Sequence, residues 1–178
     1  KSGIPKEKTA FVVNQVCGSG LRSIASGFQS IKAGDSKIVI AGGQECMSLA
    51  PHAIHLRDGK KLGNSEVTDT MIKDGLWDAF HGYHMGVTAE NVSTKFQVTR
   101  EDQDKFALKS HEKALKAQKE NKFKEEIINF KIKSKKNEID FNKDEHPREE
   151  INLESLTRLK PVFKKDGTVT AGNASGIN

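Results

Sequence analysis

The stretch that decides the fold is Val12-Val13-Asn14-Gln15-Val16-Cys17-Gly18-Ser19-Gly20-Leu21. A short β-branched run meets a cysteine and two glycines, and the apolar spacing of an amphipathic helix begins at Leu21. This order places Cys17 at the carboxyl end of a strand and the amino end of a helix, where open α/β sheets keep their sites. Unpaired N–H groups at a helix start stabilise a thiolate, which is a usable nucleophile. On this pattern alone, the slightly favoured alternative is a buried cysteine that packs as a small hydrophobe.

A second apolar run completes one βαβ unit. The segments 11–16 and 38–41 predict buried strands, and the helix between them ends at Gly34 and Asp35. We expect the two strands to be parallel, with a right-handed crossover.

The residues that follow predict an insertion with its own helices and strands. Residues 48–78 predict a long loop with little regular structure, except for a turn of helix at 69–73. Residues 87–96 predict a helix with Ala89, Val92 and Phe96 on one face. A helix capped by Thr99 runs to about residue 120, with a narrow apolar face at Phe106, Ala107, Ala114 and Ala117.

The rest of the insertion alternates short elements. Residues 128–132 predict a half-exposed strand, 135–137 a turn, and 138–141 a short strand. Asn152 is placed to cap a short helix that ends at Pro161. A turn at Asp166 and Gly167 precedes a predicted strand at 168–170, which would return the chain to the first unit.

Composition limits the classes of partner. The 178 residues carry a formal net charge of +5, with 35% hydrophobic, 30% charged and only 6% aromatic residues. Nucleic-acid binding favours aromatic residues among the basic ones, so the lysines predict a solvated face and no nucleic-acid partner. No apolar run approaches the ~20 residues that cross a bilayer, so we expect no membrane partner. The two cysteines lie outside any CxxC spacing, which argues against a zinc site, so no metal is expected.

Four motifs, in order, resemble successive signatures of the thiolase family. They are Asn14-Gln15-Val16-Cys17-Gly18-Ser19-Gly20, Gly42-Gly43-Gln44-Glu45-Cys46-Met47-Ser48, His84-Met85-Gly86 with Thr88-Ala89-Glu90-Asn91, and Thr170-Ala171-Gly172-Asn173-Ala174-Ser175-Gly176. The resemblance covers nearly the whole chain from about Asn14. The form Tyr83-His84-Met85-Gly86 is more similar to the short-chain, acetoacetyl-CoA branch than to the long-chain branch.

The resemblance implies an α/β, thiolase-like fold. Residues 1–50 would be part of the N-terminal α/β domain, with a βαβ unit that carries the nucleophile. Residues 51–163 would be an inserted α+β loop domain for oligomerisation and coenzyme A binding, and 164–178 a return to the first domain. The implied reaction is acyl transfer between acetyl-CoA and a 3-ketoacyl-CoA through a cysteine thioester. Coenzyme A would be a substrate, with no tightly bound cofactor, and a homodimer or homotetramer is implied.

The resemblance also implies a set of site residues. Cys17 matches the nucleophile, and His84 and Met85 match the pantetheine and acyl end of the pocket. Positions around the substrate are matched by Leu76 at the pocket wall, Arg148, Ser155 and Phe163 at the nucleotide end, and Ala171 and Ser175 at the pantetheine arm. Arg148 suits a phosphate because its guanidinium is a planar fork of donors. Phe163 either flanks the adenine ring or packs in the core after Pro161.

Other features depart from the family pattern. The family's second catalytic cysteine, its Gly-His-Pro histidine and its Asn-Glu-Ala-Phe motif lie in later segments, and none occurs among these residues. Cys46 is therefore interpreted as structural. We expect the chain to be an internal piece of a longer protein that is inactive alone, in the cytoplasm or an organelle matrix. Two alternatives remain: a decarboxylative ketoacyl synthase, and a non-catalytic thiolase-like protein that binds acyl-CoA or lipid.

Overall fold

A computed structural model describes residues 3–133 and 137–177. The chain divides into two compact units, Lys1–Ala50 and Pro51–Asn178, which are taken separately below. The predicted turn at 135–137 lies outside the described residues except for Asn137. The domain boundaries expected from the sequence stay a prediction.

The first unit is built around one amphipathic helix, α1 (Ser19–Ala33). Gly34 ends it in the left-handed conformation, as a glycine does at a helix carboxyl terminus. The segment after the helix folds back along it. An added Cβ at Gly27 would lie 3.0 Å from Val39, and the Ser23 hydroxyl donates to the Gly42 carbonyl at 3.0 Å. A short 3-10 helix follows at Met47–Leu49.

The two strands predicted in this unit are not formed. Within the described residues, 11–16 and 38–41 contain no strand. The β-type pairing in this part of the chain is one isolated bridge between Gln15 and Cys17. A β-strand needs a neighbour to accept its backbone hydrogen bonds, which an apolar run cannot supply by itself. Without strand pairing, side chains of these segments are exposed to solvent: Val12 is 96% and Ile38 88% exposed.

The second unit starts with small antiparallel pairs. Strand β1 (His52–Ala53) pairs with β2 (Thr68–Asp69), and β3 (Trp77–Asp78) pairs with β4 (Tyr83–His84). A π-helix at Met71–Leu76 lies between the pairs. The prediction of a long, sparsely structured segment with one helical turn is therefore confirmed, with the turn slightly later than expected.

Three helices and one hairpin form the rest of the unit. They are α2 (Met85–Phe96), α3 (Arg100–Lys119), the hairpin β5 (Phe130–Lys133) and β6 (Glu138–Phe141), and α4 (Leu153–Thr157). Thr99 and Asn152 both cap their helices through capping boxes, as their sequence positions predict. No helix in the described ranges is both long and apolar enough to cross a bilayer.

The buried faces of α2 and α3 differ from the predicted ones. On α2, Val92 and Phe96 are exposed, whereas Gly86, Glu90 and Ser93 are buried. On α3, Phe106 is 76% exposed, while Asp104 is completely buried. Burial of Glu90 and Asp104 is stable because each carboxylate receives several hydrogen bonds, a compensation that a hydrophobic pattern does not reveal.

The predicted strand at 168–170 is also wrong. Val169 and Thr170 are buried, yet the N–H groups of residues 168–170 donate to the side chains of Glu90 and Asn173 and not to a neighbouring strand. The Val169 carbonyl accepts the Val162 N–H, and the Thr170 carbonyl accepts the N–H groups of Asn173 and Ala174 in a turn. Leu156 of α4, 2% exposed, and Val169 are the fully buried hydrophobic residues among those described. The centre of this unit is therefore largely a hydrogen-bonded polar core.

Candidate functional site

Cys17 lies in a sharp turn immediately before α1. The Gly18 N–H donates to the Gln15 carbonyl at 2.9 Å, and the Ser19 hydroxyl donates to the Val16 carbonyl at 2.7 Å. The Cys17 thiol is exposed, which does not fit the alternative of a buried core cysteine, and its role as a nucleophile stays a prediction. Gly18 gives α1 no side-chain cap. The Ser19 N–H donates to the Val16 carbonyl at 3.2 Å, and no side chain competes with an anion for the other N–H groups of the first turn.

The backbone is strained directly beside this thiol. Val16 has φ +47°, a left-handed conformation that is rare for a β-branched residue. Such strain costs about 1–3 kcal/mol and persists only where the surroundings impose it, commonly at functional sites. On the helix side, an added Cβ at Gly20 would meet no atom within 4 Å, so the space beside Gly20 is open.

His84 and Phe163, assigned to opposite ends of the substrate, lie together in the second unit. Their rings stack with centroids 4.8 Å apart and an interplanar angle of 21°. The His84 Nδ1 accepts the Gly86 N–H at 2.9 Å, which leaves the ring proton on Nε2 as a donor. Gly86 has no room for a side chain, because an added Cβ would overlap the Phe163 ring. Phe163 is half-buried and packs against His84, and its assignment to the adenine ring stays a prediction.

Met85 directly follows His84 in the chain, and Leu76 directly precedes the strand that pairs with the His84 strand. Met85 is the first residue of α2 and is 36% exposed. Leu76 ends the π-helix, next to Trp77, whose register partner is His84. An apolar, flexible thioether and a leucine beside His84 are suited to line a small acyl group.

Arg148, Ser155 and Ala171 share the wall of one cavity of about 560 Å³. Its remaining walls come from α3, from the segment before α4 and from Leu156, Leu159 and Gly172. The Ser155 hydroxyl accepts the Asn152 N–H at 3.2 Å, which completes the capping box of α4. Within the described residues, no carboxylate forms an ion pair with Arg148, which leaves its guanidinium suited to an anionic ligand.

The segment that carries Ala171 and Ser175 is held by two buried carboxylates. Glu90, 3% exposed, accepts the N–H groups of Thr168 and Val169 at 2.8 Å. Asp104 accepts the Asn173 amide at 2.9 Å and the Arg100 Nε at 2.8 Å. Ser175 itself is exposed. The segment is thus positioned from two helices, and its serine is accessible to a ligand.

Glu90 is ionised in this setting. Burial alone would raise the pKa of Glu90, but bonds from Val169 and Thr168 and the nearby charge of Lys164 outweigh it. The pKa of Glu90 therefore lies below its ordinary value.

Two histidines of the cavity were missed by sequence reasoning. His111 of α3 and His146 stack with centroids 6.0 Å apart, and both line the cavity beside Arg148. Burial, followed by the charges of His146 and Arg148, lowers the pKa of His111. One signal was present: His111 lies on the same helical face as Ala107 and Ala114, where a polar residue is unusual.

The described residues contain no cluster of side chains that could bind a metal ion. Among residues 3–133 and 137–177, no group of three or more His, Cys, Asp or Glu side chains could hold a metal ion.

Comparison with known protein families shows to which family the chain belongs. All residues 1–178 match the model described as "Thiolase, N-terminal domain". The chain belongs to the thiolase family. It is 56% identical over 178 residues to an acetyl-CoA acetyltransferase of Rhizobium meliloti and 54% identical to one of Shinella zoogloeoides. Each alignment covers 100% of this chain and 45% of the relative, so the chain spans about half the length of these thiolases.

Solved structures confirm the thiolase-like fold. The Bacillus anthracis acetyl-CoA acetyltransferase superposes with a TM-score of 0.91 at 44% identity, covering 98% of this chain and 44% of that one. The human mitochondrial 3-ketoacyl-CoA thiolase gives 0.90 at 43% identity, with the same coverages. The family and the α/β fold class predicted from the four motifs are therefore confirmed.

Proposed function

We propose that the full-length protein transfers an acetyl group between acetyl-CoA and acetoacetyl-CoA through a thioester on Cys17. The observation that carries the proposal is the exposed Cys17 in a strained turn at the start of α1. Relatives at 56% and 54% identity are named acetyl-CoA acetyltransferases, which supports the short acyl chain.

The residues of this chain suit the first half of such a reaction. In thiolysis, the Cys17 thiolate adds to the 3-keto carbonyl of acetoacetyl-CoA and forms a carbon–sulfur bond. The bond between the two acetyl units then breaks, and the electron pair leaves with the α-carbon, which takes up a proton to give acetyl-CoA. The acetyl group on sulfur passes to a second coenzyme A thiolate, which restores Cys17. We assign the proton transfers to other segments of the full-length protein.

The second unit is assigned to substrate binding. His84 offers its Nε2–H to the pantetheine and acyl end, with Met85 and Leu76 as apolar walls. Arg148 and Ser155 are assigned to the nucleotide end, and Ala171, which lines the same cavity, and the exposed Ser175 are assigned to the pantetheine arm. Phe163 positions His84 by stacking. Coenzyme A is a substrate in this scheme, and no tightly bound cofactor is assigned.

The remaining assignments concern assembly and compartment. The segment 48–78 is assigned to contacts between subunits of a homodimer or homotetramer. Cys17 and Cys46 are both free thiols, which fits a reducing compartment, the cytoplasm or an organelle matrix.

Trapping of the acetyl-enzyme tests this function. The full-length protein is incubated with acetyl-CoA, quenched in acid and analysed by peptide mass spectrometry. We expect one acetyl group on the Cys17 peptide, its absence in Cys17→Ala, and its retention in the control Cys46→Ala. Iodoacetamide should modify Cys17 faster than Cys46, and acetyl-CoA should protect Cys17.

Four outcomes would contradict the proposal. Acetyl on Cys46, or equal labelling of both thiols, would remove the nucleophile assignment, because both thiols are exposed and only reactivity separates them. Turnover of a malonyl thioester without turnover of acetyl-CoA would identify a decarboxylative condensing enzyme. Binding of acetyl-CoA without acetylation would identify a carrier.

A further inference from the structure

His111 lines the cavity, and its ring is hydrogen-bonded to the backbone of Arg148. The backbone N–H of Arg148 donates to the Nδ1 of His111 at 3.2 Å, across 37 residues of sequence. A nitrogen that accepts a hydrogen bond must carry a lone pair, so this imidazole is neutral with its proton on Nε2. The bond joins α3 to the segment 142–151, whose only other side-chain bond to α3 among those described runs from Gln118 to the Asp144 carbonyl at 3.3 Å.

The surroundings of His111 favour this neutral form. Its neighbours on α3, Ala107 and Leu115, carry no charge. The segment before α4 faces the cavity with His146, Arg148, Glu149 and Glu150, and Glu149 is already paired with Lys143 at 2.7 Å. The described parts of α4 and of 171–174 that line the cavity contribute no titratable group.

Protonation of His111 would break the link. A proton on Nδ1 would face the Arg148 N–H, so two donors would meet where one bond exists now. The new positive charge would also lie beside Arg148 and His146, and repulsion between like charges would push the segment away from α3.

We infer that His111 is a positioning residue that holds Arg148 at the cavity only while its imidazole is neutral, so that acidification weakens coenzyme A binding. This inference rests on the proposed function for its ligand. It predicts the opposite of the simplest electrostatic expectation, in which an added positive charge strengthens binding of a phosphate. Because the pKa of His111 is lowered, the loss of coenzyme A affinity should occur at a pH below the ordinary histidine pKa of 6.5.

The test measures the dissociation constant of coenzyme A by calorimetry with the full-length protein at pH 7.5 and pH 5.5. The key variant is His111→Asn, whose amide oxygen can accept the Arg148 N–H but does not titrate. Acidification should weaken the wild type about two- to tenfold more than His111→Asn, the range that net loss of one hydrogen bond gives. The comparison between variants cancels protonation of the ligand's own phosphate, whose second pKa is about 6.

Two further variants sharpen the test. His111→Ala removes the acceptor and should bind weakly at both pH values. His146→Gln should keep the acidic loss but move it to higher pH, because His146 is one cause of the lowered pKa of His111. If His111→Asn does not fold, His111→Gln serves as the second non-titrating variant, and circular dichroism at both pH values checks folding.

Several results would overturn the inference. They are an equal acidic loss in the wild type and His111→Asn, tighter wild-type binding at pH 5.5, and disappearance of the acidic loss in His146→Gln. A wild type that forms the Cys17 acetyl-enzyme but shows any of these results would retain the proposed function and lose only the role of His111.

Discussion

Glu90 on α2 binds the backbone of Thr168 with both carboxylate oxygens, at 2.8 and 2.9 Å, across 78 residues of sequence. The Thr168 hydroxyl and the Val169 N–H complete a set of four bonds to one buried side chain. Gly167 is required beside it, because an added Cβ would overlap the Glu90 carboxylate. Together with the bond from Asn173 to Asp104, this contact attaches the segment that carries Ala171 and Ser175.

Substitution Glu90→Gln should therefore lower the free energy of unfolding of the full-length protein by about 2–3 kcal/mol. One acceptor oxygen becomes an amide donor that faces the N–H groups of Thr168 and Val169, and a bond to a charged group contributes about 1.5–3 kcal/mol. Denaturant unfolding measures the loss. The control Glu101→Gln removes an exposed pair with Lys105 and should leave the midpoint unchanged.

The same pair gives a pH dependence. Because the pKa of Glu90 is lower in the folded protein than its ordinary value of 4.5, its contribution is complete above pH 4.5. The contribution is lost as the pH falls through the folded pKa. Wild-type stability should therefore fall more steeply below pH 4.5 than that of Glu90→Gln. Parallel curves for the two proteins would show that the carboxylate charge is not involved.

The packing of Gly86 on Phe163 can be tested by a double-mutant cycle. Gly86→Ala should cost about 1–3 kcal/mol of stability, because its methyl group would displace the Phe163 ring from His84. In a Phe163→Ala background the same change should be neutral or stabilising, since alanine favours a helix. The control Gly20→Ala, in an open helical position, should stabilise by about 0.5–1 kcal/mol. Additive effects of Gly86→Ala and Phe163→Ala would rule out the contact.

Because the backbone at Val16 is strained, relieving that strain should raise stability while it lowers activity. Val16→Gly removes strain of about 1–3 kcal/mol and adds a backbone entropy cost of about 0.5–1 kcal/mol, so stability should rise by about 1 kcal/mol. Turnover should fall, because Cys17 is then less firmly oriented. Unfolding and kcat are measured on the full-length protein, with Val12→Gly as a control that gains no such stability. A destabilised Val16→Gly would contradict the strain.

The cavity assignment of Arg148 predicts a selective loss of affinity. Arg148→Ala should weaken coenzyme A about tenfold and dephospho-analogues much less, because a charge-assisted bond to phosphate is lost. The control is Arg158→Ala, at the C-cap of α4 and paired with Glu154. Equal losses for both ligands would exclude a phosphate contact, and an effect of Arg158→Ala of the same size would indicate a general charge effect.

The sequence by itself determined the elements whose causes are local. The ends of α1 and α3 follow from Gly34 and from the Thr99 capping box, and the sequence places Cys17 directly before a helix. Motif order was enough to identify the family, because each motif is short and its residues are contiguous. Those features depend on neighbours within a few residues, which a sequence displays directly.

Only the tertiary structure decided which faces are buried and which distant residues meet. The hydrophobic pattern placed Val92 and Phe96 on the buried face of α2, but both are exposed and the charged Glu90 is buried, because its hydrogen-bond partners lie 78 residues away. The strands predicted at 11–16 and 38–41 are not formed, because a strand requires a second segment to accept its backbone hydrogen bonds. The contacts of His84 with Phe163 and of His111 with Arg148 arise the same way, from residues that share no local pattern.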